Sequence, residues 1–132
     1  MANGELPTAR KPRGEDLSER LFTFAERVFK LVKALPKDAY SRHVGFQLFK
    51  SSTSAGANYE EARGGESLDD FVHKLGVVWK ELKESRFWLR FVRKAELLAP
   101  HLVEPLEKES VELCKIFASS IRTAKKRREQ DQ

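Results

Sequence analysis

The segment Gln47–Glu61, with the sequence QLFKSSTSAGANYEE, constrains the fold of this chain more than any other stretch. Its centre, Ser51–Asn58, is an unbroken run of small or short polar residues, a composition that also occurs in flexible linkers. Long periodic segments flank the run, and the next strong helix breaker is the pair Gly64-Gly65. We therefore predict that the run lies in the middle of a helix, where small side chains allow close packing of a second helix.

The composition of the 132-residue chain fits a single all-α domain. Charged residues make up 34% of the sequence, and glycine and proline are sparse and lie mainly between periodic segments. The single cysteine, Cys114, excludes an intramolecular disulfide and favours a reduced thiol. No apolar run approaches the roughly 20 residues of a membrane span, and the N-terminus lacks the apolar core of a signal peptide. We expect a cytoplasmic protein without a membrane partner.

Apolar residues recur at helical spacing in four segments that proline or glycine separates. Asp16, Asp38 and Ser67 are the predicted N-caps of the first three. These segments predict four helices, at about residues 16–35, 39–63, 68–98 and 102–126. Because short links between long helices make neighbours antiparallel, the predicted fold is an up-down-up-down four-helix bundle over residues 16–127. Residues 1–15 are predicted to form a disordered arm and residues 128–132 a polar tail.

No pattern in the sequence predicts catalysis, a metal site or a cofactor. Di-metal bundles use Glu-x-x-His on two helices, whereas this chain has three histidines and one acid–histidine pair at that spacing, Asp70 and His73. Cys114 lies among apolar neighbours, which is typical of a core residue. The chain also lacks a phosphate-binding glycine loop and a nucleophile elbow. We therefore predict a protein that is not an enzyme.

The sequence contains more aromatic residues than one seam of a small bundle needs. If they are exposed on a monomer, they form an association site; if they are internal, they enlarge the core. The sequence leaves both alternatives open. The predicted oligomer interface consists of Phe22, Phe29, Phe87, Trp88 and Phe91.

Basic residues recur at spacings of three and four near the ends of the third and fourth predicted helices. The formal net charge of +5 permits a polyanionic partner. Such a helix side would contact the phosphates of RNA or DNA, with an affinity that falls steeply with salt; a solvated basic face is the alternative. The predicted nucleic-acid-binding residues are Arg86, Arg90, Arg93, Lys94, Arg122, Lys125, Lys126 and Arg128.

Several strings in their order and spacing resemble the four-helix-bundle proteins named after 23S ribosomal RNA intervening sequences. They include Leu35-Pro36-Lys37, Gln47–Ser51, Ser54–Ala62 and Phe87–Arg90. The resemblance covers about residues 17–121, and the family usually has a bulkier residue at the position of Ala55. It implies a bundle that assembles into a ring, typically a homopentamer. The family is also similar to the accessory variability protein of diversity-generating retroelements, a basic pentameric barrel that binds a reverse transcriptase and nucleic acid.

Two functions follow as hypotheses. The first is a non-enzymatic oligomeric bundle that binds structured RNA, or an RNA–protein complex, through basic helix faces. The alternative is a protein-interaction adaptor, such as an accessory subunit of a reverse transcriptase. No catalytic residues carry over from the family.

Overall fold

The computed structural model describes residues 14–65 and 67–131, and these residues form an all-α bundle of four helices. The helices are α1 (Gly14–Lys33), α2 (Ala39–Arg63), α3 (Leu68–Lys94) and α4 (Pro100–Gln130). Each helix packs against its sequence neighbours, and α1 also contacts α4. The predicted four-helix bundle is confirmed. The predicted arm lies outside the described residues except for Gly14 and Glu15, which belong to α1.

The core consists of the apolar stripes that the periodicity predicts. α1 contributes Leu17, Leu21, Phe24, Val28 and Leu31, all buried. The largest fully buried side chains of the other helices include Leu48, Leu75, Leu82, Leu89, Leu113 and Phe117. This burial supplies the main driving force for packing the four helices together.

The small-residue run lies within α2, as the sequence predicts. Ser51 and Ser52 are almost completely buried, and Ala55 is fully buried within the same chain. The hydroxyl oxygen of Ser51 lies 2.8 Å from that of Ser85 on α3, and each hydroxyl also has a helical carbonyl oxygen within hydrogen-bond distance. The run therefore packs α2 against α3 inside one subunit.

Within α2, the glycine with the tightest surroundings is Gly45, which precedes this run. A Cβ atom added to Gly45 would lie 3.0 Å from both Leu35 Cδ1 and Val32 Cγ1. At Gly56, within the run, the nearest atom would be Leu21 Cβ at 3.9 Å, an ordinary contact. Close approach of α1 therefore requires a missing side chain at Gly45 rather than at Gly56.

Several helix ends differ from the predicted ends by two to four residues. α3 ends at Lys94, because Glu96 adopts a left-handed conformation (φ 56°) and Leu97 donates a backbone hydrogen bond to Val92, 3.0 Å long. This is a Schellman arrangement with glutamate in the position that glycine usually takes. α1 begins at Gly14, before the predicted cap, and ends at Lys33.

The ends of α4 also extend beyond the prediction. Pro100 occupies the first turn, so the helix starts two residues early and Pro105 lies inside it. The helix continues to Gln130, which means that most of the predicted polar tail is helical. The predicted caps are confirmed at Asp38, which accepts from the backbone of Ser41, and at Ser67, which accepts from that of Asp70.

Candidate functional site

The predicted nucleic-acid-binding cations lie on α3 and α4, which pack side by side in opposite directions. An ion pair near each end of the seam shows this arrangement. Arg93 donates two hydrogen bonds to the carboxylate of Glu107, and Arg128 Nη1 lies 3.6 Å from Asp69 Oδ1. The second half of α3 therefore lies beside the beginning of α4.

This direction separates the cations of the two helices along the seam. Arg86, Arg90 and Lys94 lie toward the α3–α4 connection, whereas the basic residues that end α4 lie beside Asp69 at the start of α3. At 1.5 Å per residue, Arg90 and Asp69 are roughly 30 Å apart along α3. The eight predicted residues therefore form two groups rather than one cluster.

Two further lysines lie between these groups, and the sequence-based assignment missed both. Lys83 is exposed, and its Nζ atom lies 3.8 Å from the centre of the Trp79 ring. Lys115 is exposed one residue after Cys114 on α4. Burial raises the pKa of the Cys114 thiol, while the charges of Arg86 and Lys83 act in the opposite direction, so those two cations lie near the α3–α4 seam.

With these lysines the basic surface extends along both helices of the seam. We call it the α3–α4 basic face, and it consists of Lys83, Arg86, Arg90, Lys94, Lys115, Arg122, Lys125 and Lys126. The spacing of three to four residues from Lys83 to Lys94 was the signal that could have identified Lys83.

The eight predicted cations differ in their partners. Arg93 and Arg128 are half-buried and bind carboxylates of the neighbouring helix. The hydrogen bond to Glu107 raises the pKa of Arg93 and occupies two of its donors. The other six are exposed and form no ion pair with any residue of 14–65 or 67–131. Those six side chains present free charge to a ligand.

The five aromatic residues of the predicted oligomer interface lie in two separate clusters. Phe22 is 67% exposed and Phe29 is 46% exposed, and both line a groove of about 680 Å³ between α1 and α2. Phe49, Gly56 and Ala57 line the α2 side of this groove. We call it the α1–α2 groove.

The second cluster lies on α3 and consists of Phe87, Trp88 and Phe91, which we call the α3 ridge. The Trp88 ring centre lies 4.9 Å from that of Phe87 and 6.2 Å from that of Phe91. The two phenylalanines are 57% and 43% exposed. On the α2 side, His43 stacks edge-on against Trp88, with the ring centres 6.0 Å apart, and Tyr40 is 87% exposed nearby. The sequence-based assignment missed Tyr40.

Among residues 14–65 and 67–131, no group of three or more His, Cys, Asp or Glu side chains is placed to hold a metal ion. Among the same residues, no helix combines the length and apolar character that crossing a membrane requires.

Comparison with known proteins identifies the family. A model of the 23S rRNA-intervening sequence protein family matches residues 16–119. The chain belongs to this family.

A solved structure supports the assignment of this 23S rRNA-intervening sequence protein. It is a protein of unknown function from the S23 ribosomal protein family of Bacteroides thetaiotaomicron VPI-5482. The two folds agree with a TM-score of 0.76 at 29% sequence identity, over 83% of this chain and 97% of that chain. No curated protein matches the chain. The family resemblance and the four-helix fold predicted from the sequence are thus confirmed.

Proposed function

We propose that this 23S rRNA-intervening sequence protein is a non-enzymatic, self-associating bundle that binds structured RNA, or an RNA–protein complex, through the α3–α4 basic face. One observation carries the proposal. Six predicted cations on two adjacent helices are exposed without an ion pair in the described part of the chain. Free cations in a row are the side chains that replace counterions on a phosphate backbone.

Several further observations support RNA as the ligand. Lys83 and Lys115 bridge the two groups of cations, so a backbone of phosphates would meet charge along much of the α3–α4 seam. The family's name refers to intervening sequences of 23S rRNA, which favours RNA over DNA as the natural polyanion. The net charge of +5 favours association with either one.

Charge reversal at three free cations tests the proposal. The variant Arg122→Glu/Lys125→Glu/Lys126→Glu is expected to bind a structured RNA hairpin at least tenfold more weakly, with a shallower dependence of affinity on salt. The matched control reverses three exposed cations elsewhere, Lys30, Arg42 and Lys50. Equal losses in both variants would show attraction by net charge alone, and no loss in the first would overturn the proposal.

Self-association is the second part of the proposal. The exposed aromatic side chains of the groove and of the ridge support it, because a monomer rarely exposes several large apolar side chains without a partner. The family resemblance favours a ring, typically of five copies. The chain mass is 15.2 kDa, so five copies give 5 × 15.2 = 76 kDa. Light scattering after nuclease treatment measures this, and a mass of one chain at micromolar concentration would contradict it.

A protein-interaction adaptor is the second candidate, and the volume of the α1–α2 groove favours it. A groove of about 680 Å³ lies within the size range of clefts that hold small ligands, so it has room for several side chains of a partner. A reverse transcriptase is the partner class that the family resemblance suggests. Purification with a protein partner that survives nuclease treatment would support this candidate, whereas loss of the partner would support RNA binding.

A further inference from the structure

The rim of the α1–α2 groove carries negative charge. Glu19, Glu26 and Glu60 line it together with the apolar floor. Glu60 accepts a hydrogen bond from Ser18 and lies 3.9 Å from Arg63 Nη1, so it is not free. Glu19 and Glu26 are exposed, and neither forms an ion pair within the residues that the structure describes. The short side chain of Ala57 leaves the floor open. The groove therefore presents apolar surface bordered by free carboxylates.

The α3 ridge has the opposite character. Its aromatic side chains project from the bundle, and Arg86, Arg90 and Lys94 lie within one helical turn of them on the same helix. All three cations are exposed and free of ion pairs in the described part of the chain. Trp88 donates a hydrogen bond to Glu84, which leaves this exposed carboxylate charged, so three cations and one carboxylate border the ridge. The ridge is therefore an aromatic projection bordered by free cations.

We infer that the α3 ridge of one copy docks into the α1–α2 groove of a second copy. This inference rests on the self-association in the proposed function and names the two surfaces that meet. The aromatic rings of the ridge would fill the apolar groove of the second copy. The carboxylates that border the groove would then face the cations that border the ridge. Such complementary charges specify a partner and its register.

The position of the two surfaces makes this contact head-to-tail. The groove is bordered by Phe49 and Ala57 of α2, and the ridge is flanked by His43 of the same helix. The surfaces therefore lie on different sides of one subunit, so each copy offers one donor face and one acceptor face. Repetition of such a contact produces a ring if the rotation closes and a filament if it does not.

The charges then divide into three classes with separable effects. Glu19 and Glu26 act in assembly alone, and the α4 cations Arg122 and Lys125 act in RNA binding alone. Arg86, Arg90 and Lys94 act in both, because they border the ridge and belong to the α3–α4 basic face.

Two variants with one damaged surface each test the inference. Ala57→Arg places a long charged side chain over the groove floor, and Phe87→Glu places a carboxylate on the ridge. Both positions are exposed, so the fold of the monomer is expected to tolerate them, and helical circular dichroism checks this. Ser119→Arg adds the same charge at an exposed α4 position as a control.

Light scattering of nuclease-treated protein measures the mass of each variant and of their mixture. Each variant alone remains at the chain mass of 15.2 kDa, whereas an equimolar mixture forms a one-to-one dimer of 2 × 15.2 = 30.4 kDa. The dimer forms because the intact ridge of one variant meets the intact groove of the other. Ser119→Arg assembles as the wild-type protein does.

Other outcomes overturn the inference in distinguishable ways. A mixture that stays monomeric, or a Phe87→Glu protein that assembles normally alone, would refute the groove-to-ridge contact while leaving self-association intact. A monomeric wild-type protein would refute self-association as well. RNA binding is measured separately, so its failure affects only the proposed function.

A charge exchange provides a second test that keeps the apolar surfaces intact. Glu19→Lys/Glu26→Lys and Arg86→Glu/Arg90→Glu are each expected to weaken assembly several-fold at low salt, and combining all four in one chain restores it. A fourfold variant that assembles no better than either double variant would contradict the pairing of these rims.

Discussion

Two seams of the bundle are built in opposite ways. Between α2 and α3, small side chains meet, and the Ser51–Ser85 contact and the hydrogen bond from Ser54 to Glu81 join the helices. Between α1 and α4, a cleft of about 380 Å³ lies open, and the bidentate Arg20–Glu109 pair connects the helices. A second cleft, of about 590 Å³, lies along α4 and is also lined by residues of the other three helices. Buried small side chains thus form the contact between α2 and α3, whereas a partly exposed ion pair connects α1 and α4 beside open space.

The largest expected effect comes from adding the same side chain to each seam. Ser51→Leu places bulk where Ser51 is 1% exposed, and we expect a loss of about 2–4 kcal/mol of unfolding free energy from overpacking. Ser120→Leu, whose site lines the 590 Å³ cleft, is expected to stay within about 0.5 kcal/mol of the wild-type value or to gain stability. Urea denaturation measures both, and similar losses at the two sites would remove the distinction between the seams.

A smaller effect is expected from breaking the connection between α1 and α4. Arg20→Gln removes a bidentate pair whose side chains are 35% and 19% exposed, and solvent screening limits the expected loss to about 1 kcal/mol. Arg27→Gln is the control, because Arg27 is exposed and has no ion pair in residues 14–65 and 67–131. A loss above about 3 kcal/mol would show that this pair, rather than core packing, holds α1 in place.

Two glycines of α2 that face the N-terminal part of the chain differ in the space around them. Gly56→Ala is expected to raise stability by up to about 1 kcal/mol, because alanine favours helix and the added atom meets only Leu21 Cβ at 3.9 Å. Gly45→Ala is expected to gain nothing or to lose stability, since Val32 and Leu35 must move from 3.0 Å. Thermal denaturation measures the stability of both variants. Equal gains in stability would show that α1 does not approach α2 closely at Gly45.

The smallest effect appears only at alkaline pH and comes from Tyr59, which lines the 590 Å³ cleft. Burial raises the pKa of its hydroxyl above the usual tyrosine value. The unfolded chain then loses the proton first, so stability is intact below about pH 10 and falls as the pH rises through the folded pKa. Tyr59→Phe should flatten this part of the stability profile, and an unchanged profile would assign the loss to other groups.

The sequence predicts the fold because the information is local to each helix. Apolar spacing identifies the stripes, and flanking periodicity correctly places the Ser51–Asn58 run inside a helix. The end of α3 could not be predicted, because Glu96 takes a left-handed conformation that glycine usually signals. Only the backbone conformation at Glu96 shows where α3 ends.

The site was harder to predict because it depends on how helices face one another. Spacing on one helix groups Arg93 with Arg90, but the register of α4 against α3 gives Arg93 a carboxylate partner and leaves Arg90 free. The aromatic residues were predicted as one interface, and the rotation of the helices separates Phe22 from Phe87. The orientation of each helix relative to its neighbours determines which aromatic side chains are exposed. The spacing of residues within one helix does not reveal this orientation.

The salt dependence of RNA binding reports how many cations of the α3–α4 basic face contact phosphates. The affinity of wild-type protein for a structured RNA hairpin is measured by anisotropy from about 50 to about 300 mM KCl. If the free cations of the α3–α4 basic face bind phosphates, the logarithm of the RNA-binding constant should fall with the logarithm of the salt concentration. The expected slope is about −3 or steeper. The slope should become shallower in the Arg122→Glu/Lys125→Glu variant. A slope near zero, or one that this variant does not change, would contradict phosphate binding by the α3–α4 basic face.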